Sequence, residues 1–149
     1  MIKRGAAAVL LLMSTGCGDG GLFAEDFKSS YIEVTTDCVQ SPTHGNDYVR
    51  IWVSSQEVAD LIADYASGAN TEPDYPVEST LVKEQYAGDP TCSTATGWTI
   101  SKKVTAGRMD DGSHWAFERR EADLSVTEWS GCLDCHRAYA AGDFVAYRP

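Results

Sequence analysis

Apolar and polar positions along the chain follow two periods. The run Tyr48-Val49-Arg50-Ile51-Trp52-Val53 is rich in β-branched and aromatic residues and predicts a strand. From Ser79 to Tyr86, Leu81, Lys83 and Gln85 alternate with Val82, Glu84 and Tyr86, and Gly97 to Val104 alternates on Trp98, Ile100, Lys102 and Val104. A period of two predicts strands in both places. His114 to Arg120 is a further strand, entered through the turn-forming pair Asp111-Gly112. After the first strand the period lengthens: Val58, Leu61, Ile62 and Tyr65 recur on one helical face, Ser55 can cap it, Glu57 sits in its first turn and Gly68 stops it. The apolar residues of Leu22-Phe23-Ala24-Glu25-Asp26-Phe27 suit a second, short helix, and the turn-rich Thr36 to Asp47 and the loop bearing Pro73 and Pro76 join the elements. The order β-α-β-β-β predicts an α+β fold, a mainly antiparallel β-sheet with flanking helices.

Composition narrows the picture. A chain of 149 residues, 43% hydrophobic, suits one domain. Folding at this size buries roughly two-thirds of the unfolded surface, so the five Cys are not needed merely to fold it. With 12 Lys+Arg against 22 Asp+Glu the net charge is −10, and the clustered cations that displace counterions from nucleic acid are missing. Nucleic-acid binding is thereby excluded, whereas small neutral or cationic substrates and basic redox partners suit the charge. Residues 1–16 read as an export signal: Lys3 and Arg4, an apolar run from Gly5 to Met13 far short of the roughly 20 residues that span a bilayer, then Ser14-Thr15-Gly16-Cys17. The small residues before Cys17 resemble a bacterial lipobox, with Ser14 where an aliphatic is usual, so lipidation at Cys17 and a membrane-anchored periplasmic protein are expected. Residues 17–30 then form a tether and N-terminal segment, and residues 31–149 the domain proper.

Cys132-Leu133-Asp134-Cys135-His136 is a CxxCH, the attachment signature of c-type haem. Two thiols three positions apart can both reach the vinyl carbons of one macrocycle, and the adjacent imidazole of His136 can then ligate its iron. Zinc would need four ligands, and no second Cys/His pair stands at finger spacing; a redox CxxC would be expected after a strand of a thioredoxin-like unit. With Cys17, Cys132 and Cys135 assigned, Cys38 and Cys92 remain. A disulfide between them would close a loop of about 55 residues, stabilising by roughly 4 kcal/mol; the alternative is two separate buried thiols. No Met follows His136, which argues against a His/Met electron carrier, and the alternation argues against a four-helix cytochrome c′. A β-rich protein with haem c near its C-terminus is left.

In four stretches the chain resembles the cytochrome P-460 family, which includes the β-fold cytochromes c′: Asp47 to Val53, Tyr75 to Glu84, Gly112 to Phe117, and Cys132 to His136 followed by Asp143-Phe144-Val145. The resemblance implies an antiparallel sheet with helices, often a homodimer, and five-coordinate haem with His136 as proximal ligand. It also implies a lysine cross-linked to the haem edge, matched by Lys83, and an arginine over the distal pocket, matched by Arg50. Without the resemblance, Lys83 would be a solvated strand lysine and Arg50 an outward-facing strand residue. The strand that carries a distal carboxylate in hydroxylamine-oxidising members reads Ile100-Ser101-Lys102-Lys103 here, leaving Glu84 or Glu118 as substitutes, while His44 and His114 are the histidines that could cap the iron. Two functions follow from the resemblance. One is an enzyme that binds and oxidises hydroxylamine or nitric oxide and passes electrons to a periplasmic acceptor; the other is a non-catalytic nitric-oxide-binding protein. The missing acid favours the second and Lys83 the first.

Overall fold

A computed structural model describes residues 21–22, 24–41, 45–127 and 130–145. The export signal, Cys17 and His44 lie outside these residues. Seven strands form one antiparallel sheet: β1 (Ile32–Glu33), β2 (Val39–Gln40), β3 (Tyr48–Val53), β4 (Thr80–Tyr86), β5 (Gly97–Lys103), β6 (Trp115–Glu121) and β7 (Val126–Thr127). Their order is β1-β3-β4-β5-β6-β7, with β2 also paired to β3. The four strands expected from the sequence are the four long ones. Among the described residues two α-helices accompany them, α1 (Gln56–Ser67) and α2 (Ser130–His136), and no helix there is long and apolar enough to cross a membrane.

The sheet buries both faces, which follows from the sequence of its central strand. In β4 every residue but Lys83 is buried. Cross-strand register divides the side chains between the faces: Ile51 lies opposite Lys83, Lys83 opposite Thr99 and Thr99 opposite Arg119, whereas Arg50 lies opposite Glu84, Glu84 opposite Trp98 and Trp98 opposite Arg120. Over the first face pack α1 and the C-terminal segment, through Val53, Val58, Ile62, Leu81, Trp115 and Phe144. Over the second pack the N-terminal residues, with Phe27 against Val82 and Ile100 and with Leu22, Tyr31, Trp52 and Trp98 at the margin. Phe27 is buried and Leu22 half-buried as their pattern implies, but the short helix expected over 22–27 is instead a single 3-10 turn at Phe27–Ser29.

Helix α1 starts and stops as its sequence dictates. The Ser55 side chain accepts the Val58 N–H, satisfying one of the donors left over at a helix start, and Gly68 ends the helix at φ 78°, which glycine adopts without strain. Cys38 and Cys92 are joined in a disulfide with Cα atoms 5.8 Å apart, tying the segment before β2 to the β4–β5 connection; the alternative of two separate thiols does not hold.

Candidate functional site

Helix α2 carries Cys132 and Cys135 three residues apart, a spacing that sets both thiols on one side of a helix, and His136 ends it. All three line a cavity of about 350 Å³ between α2 and the first face of the sheet. Both thiols are free, Cys132 buried and Cys135 exposed. The opposite wall comes from two register rows of the first face, Ile51, Lys83, Thr99 and Arg119 from β3 to β6, and beside it Leu81, Ser101 and Phe117 from β4 to β6. The cavity therefore draws on residues from four strands and the last helix.

Local chemistry is shaped by burial. His136 donates Nδ1–H to the Phe144 carbonyl oxygen at 2.5 Å, so Nε2 is the nitrogen left for a ligand, and the Phe117 ring lies 5.0 Å from its own. Burial lowers the His136 pKa, opposed by the Phe144 hydrogen bond and aided by Lys83, which favours the neutral imidazole that binds metals. Burial likewise pushes the Lys83 ammonium down to about 8, against a smaller opposing effect of Cys135. The Cys132 thiol is pushed up by burial, which nearby Arg119 partly offsets. Among the described residues no three His, Cys, Asp or Glu side chains converge as a cage for a metal ion. A metal here would have to bring most of its own ligands.

Of the residues singled out in the sequence, Cys132, Cys135, His136 and Lys83 come together. Arg50 does not: it lies on the second face, with Nη1 3.5 Å from Glu33 Oε1, because it is one residue out of step with Ile51. The arginine that lines the cavity is Arg119, which also pairs through Nε with Glu121 at 2.7 Å. Glu84 and Glu118 are also on the second face, Glu84 paired with Lys28 at 2.6 Å and Glu118 accepting Arg120 Nε at 2.6 Å and the Leu22 N–H at 2.8 Å. Neither can act as a base in the cavity. His114 is fully buried, with Nε2 2.6 Å from Asp143 Oδ1, and so is not turned toward the site. Asp47, which opens the first stretch of the resemblance but was given no role there, lines the cavity and is its single carboxylate among the described residues. Its adjacency to β3, two residues before Val49 and hence in step with Ile51, was the signal available for it.

No family model matches the chain, and no curated protein matches it.

Proposed function

We propose that the chain is an exported c-type haem protein that binds hydroxylamine or nitric oxide at a haem in the cavity under α2 and oxidises it, passing the electrons to a periplasmic acceptor. The observation that carries this reading is the meeting of Cys132, Cys135, His136 and Lys83 in one cavity. Its residues fit the group. The volume of about 350 Å³ falls in the range of small-molecule and cofactor sites. The walls at Ile51, Leu81, Phe117 and Val145 are apolar, both thiols are free, and the Phe144 carbonyl holds Nδ1 of His136 so that Nε2 can ligate iron. Haem, when bound, supplies the redox change and an open coordination position.

The chain's own groups have distinct tasks in this reading. Cys132 and Cys135 would fix the macrocycle through thioethers to its two vinyl groups, an addition of S–H that loses no atom. His136 holds the iron through Nε2. Lys83, whose amine is partly neutral near physiological pH, is the residue that the resemblance joins to the haem edge. Arg119 takes the polarising role that the resemblance gives to Arg50, and the Asp47 carboxylate accepts protons given up by the substrate. A second reading, nitric oxide capture without turnover, is favoured by one observation: β5, the strand that carries the distal acid in hydroxylamine-oxidising members, gives the cavity Thr99 and Ser101 and no carboxylate.

Expression with haem c assembly machinery tests both. Mass spectrometry of the haem peptide is expected to find it on Cys132 and Cys135, and Asp47→Asn to lower hydroxylamine turnover by about 10²–10⁴-fold while nitric oxide still binds. A haem-bearing wild type that binds nitric oxide but never turns over hydroxylamine leaves the capture reading. A wild type without covalent haem overturns both.

A further inference from the structure

Asp143 and Phe144, just beyond the 3-10 segment Arg137–Gly142 that follows α2, both adopt left-handed backbone, at φ 52° and 64°. For two successive residues other than glycine this conformation is unfavourable and persists only where surrounding contacts over-determine it. The contacts are present. Fully buried Asp143 accepts the Lys103 ammonium at 2.6 Å and the Tyr75 N–H at 3.3 Å on Oδ2, and His114 Nε2–H at 2.6 Å on Oδ1. The ring proton of His114 belongs on Nε2 because Nδ1 accepts the Met109 N–H at 3.3 Å. Lys103, also fully buried, has a second carboxylate partner in Asp74 at 2.6 Å. Burial alone would raise the Asp143 pKa, but the hydrogen bonds from Lys103 and His114 and the Lys103 charge hold it below the ordinary carboxylate range.

This knot ends at the cavity. Lys103 belongs to β5, and His114 directly precedes β6, so Asp143 is pinned to the sheet itself. The next residue is held at three points: the Phe144 N–H donates to Tyr139 O at 3.0 Å, its ring meets that of His114 edge-on at 5.3 Å, and its carbonyl receives Nδ1–H of His136. We infer that Asp143, clamped by Lys103 and His114, is a positioning residue that sets the orientation and hydrogen-bond strength of His136 through the Phe144 carbonyl. A firmly held acceptor gives the imidazole more anionic character and makes it a stronger donor to a metal. The inference rests on the haem reading and adds to it a device controlling the iron's electronics from outside the cavity.

The test uses the full chain carrying haem: wild type, Asp143→Asn, His114→Phe and, as a control that weakens the fold elsewhere, Ser55→Ala. Mass spectrometry reports attachment, resonance Raman reports the ferrous iron–histidine stretch, and redox titration the reduction potential. Asp143→Asn is expected to lower the stretching frequency and raise the potential. His114→Phe, which keeps a ring against Phe144 and leaves the Lys103 pair intact, is expected to shift both in the same direction but less. Ser55→Ala should shift neither. If Asp143→Asn does not fold, His114→Phe decides. Attached haem with frequency and potential unchanged in the variants overturns this inference alone, as does an equal shift in Ser55→Ala. A wild type without covalent haem overturns the function reading and takes the inference with it.

Discussion

Lys83 is a long cationic side chain in the central strand of a sheet covered on both faces, and the described residues offer it no carboxylate partner. Burial disfavours its charged form, so its pKa falls to about 8 from the ordinary 10.5. The sign of the linkage follows. Between those values the unfolded chain holds a proton that the folded chain has lost, so folding is favoured as pH rises through the window and penalised below it. Lys83→Met removes the penalty. In the chain without haem its unfolding midpoint in urea should exceed that of the wild type at neutral pH, and the difference should fade by about pH 10.5. An equal advantage at both pH values would mean that packing, not charge, limits the site. Position one residue along the strand decides as much as residue type. Arg50 and Ile51 are neighbours, yet one points to the second face and the other into the cavity. That difference was legible: Val49, Ile51 and Val53 are the apolar, inward set of β3, and Arg50 falls outside it.

Element by element, the long strands and α1 could be read from period, residue type and flanking turns because each runs for six residues or more. The strands β1, β2 and β7 could not, since two residues hold no alternation and pair only because a neighbouring edge is there to receive them. Nor could the sequence show how α2 is seated. Gly112, in the turn before β6, lies at φ 75°, and a Cβ there would stand 2.5 Å from Leu133 Cδ1 of α2 and 2.6 Å from Phe144 Cε1. The turn therefore needs glycine twice over, for its backbone and for the helix that rests on it. Gly112→Ala should lower stability by about 1–3 kcal/mol in denaturant unfolding and should displace α2, seen as a loss of covalent haem yield. An alanine variant of unchanged stability and yield would show that the helix is seated by other contacts.

For the molecule as a whole, one sheet serves two purposes. Its first face supports α1, α2 and the cavity, and its second is closed by the N-terminal residues. The Cys38–Cys92 bridge spans 54 positions of sequence and so removes much freedom from the unfolded chain. Replacing both cysteines with serine should cost about 4 kcal/mol, read as a lower denaturation midpoint, while leaving the cavity residues in place. A far smaller loss would mean that the unfolded chain is already constrained there. The placement of the first described residues has a consequence for how the molecule would stand at a membrane. Leu22 packs on the second face and its N–H is held by Glu118, so the chain enters the fold on the side of the sheet away from the cavity. Cys17 is four residues earlier than Gly21, a reach of at most about 14 Å. An acyl chain on Cys17 would moor the protein by its back, turning α2 and the cavity toward the water and within reach of a diffusing redox partner.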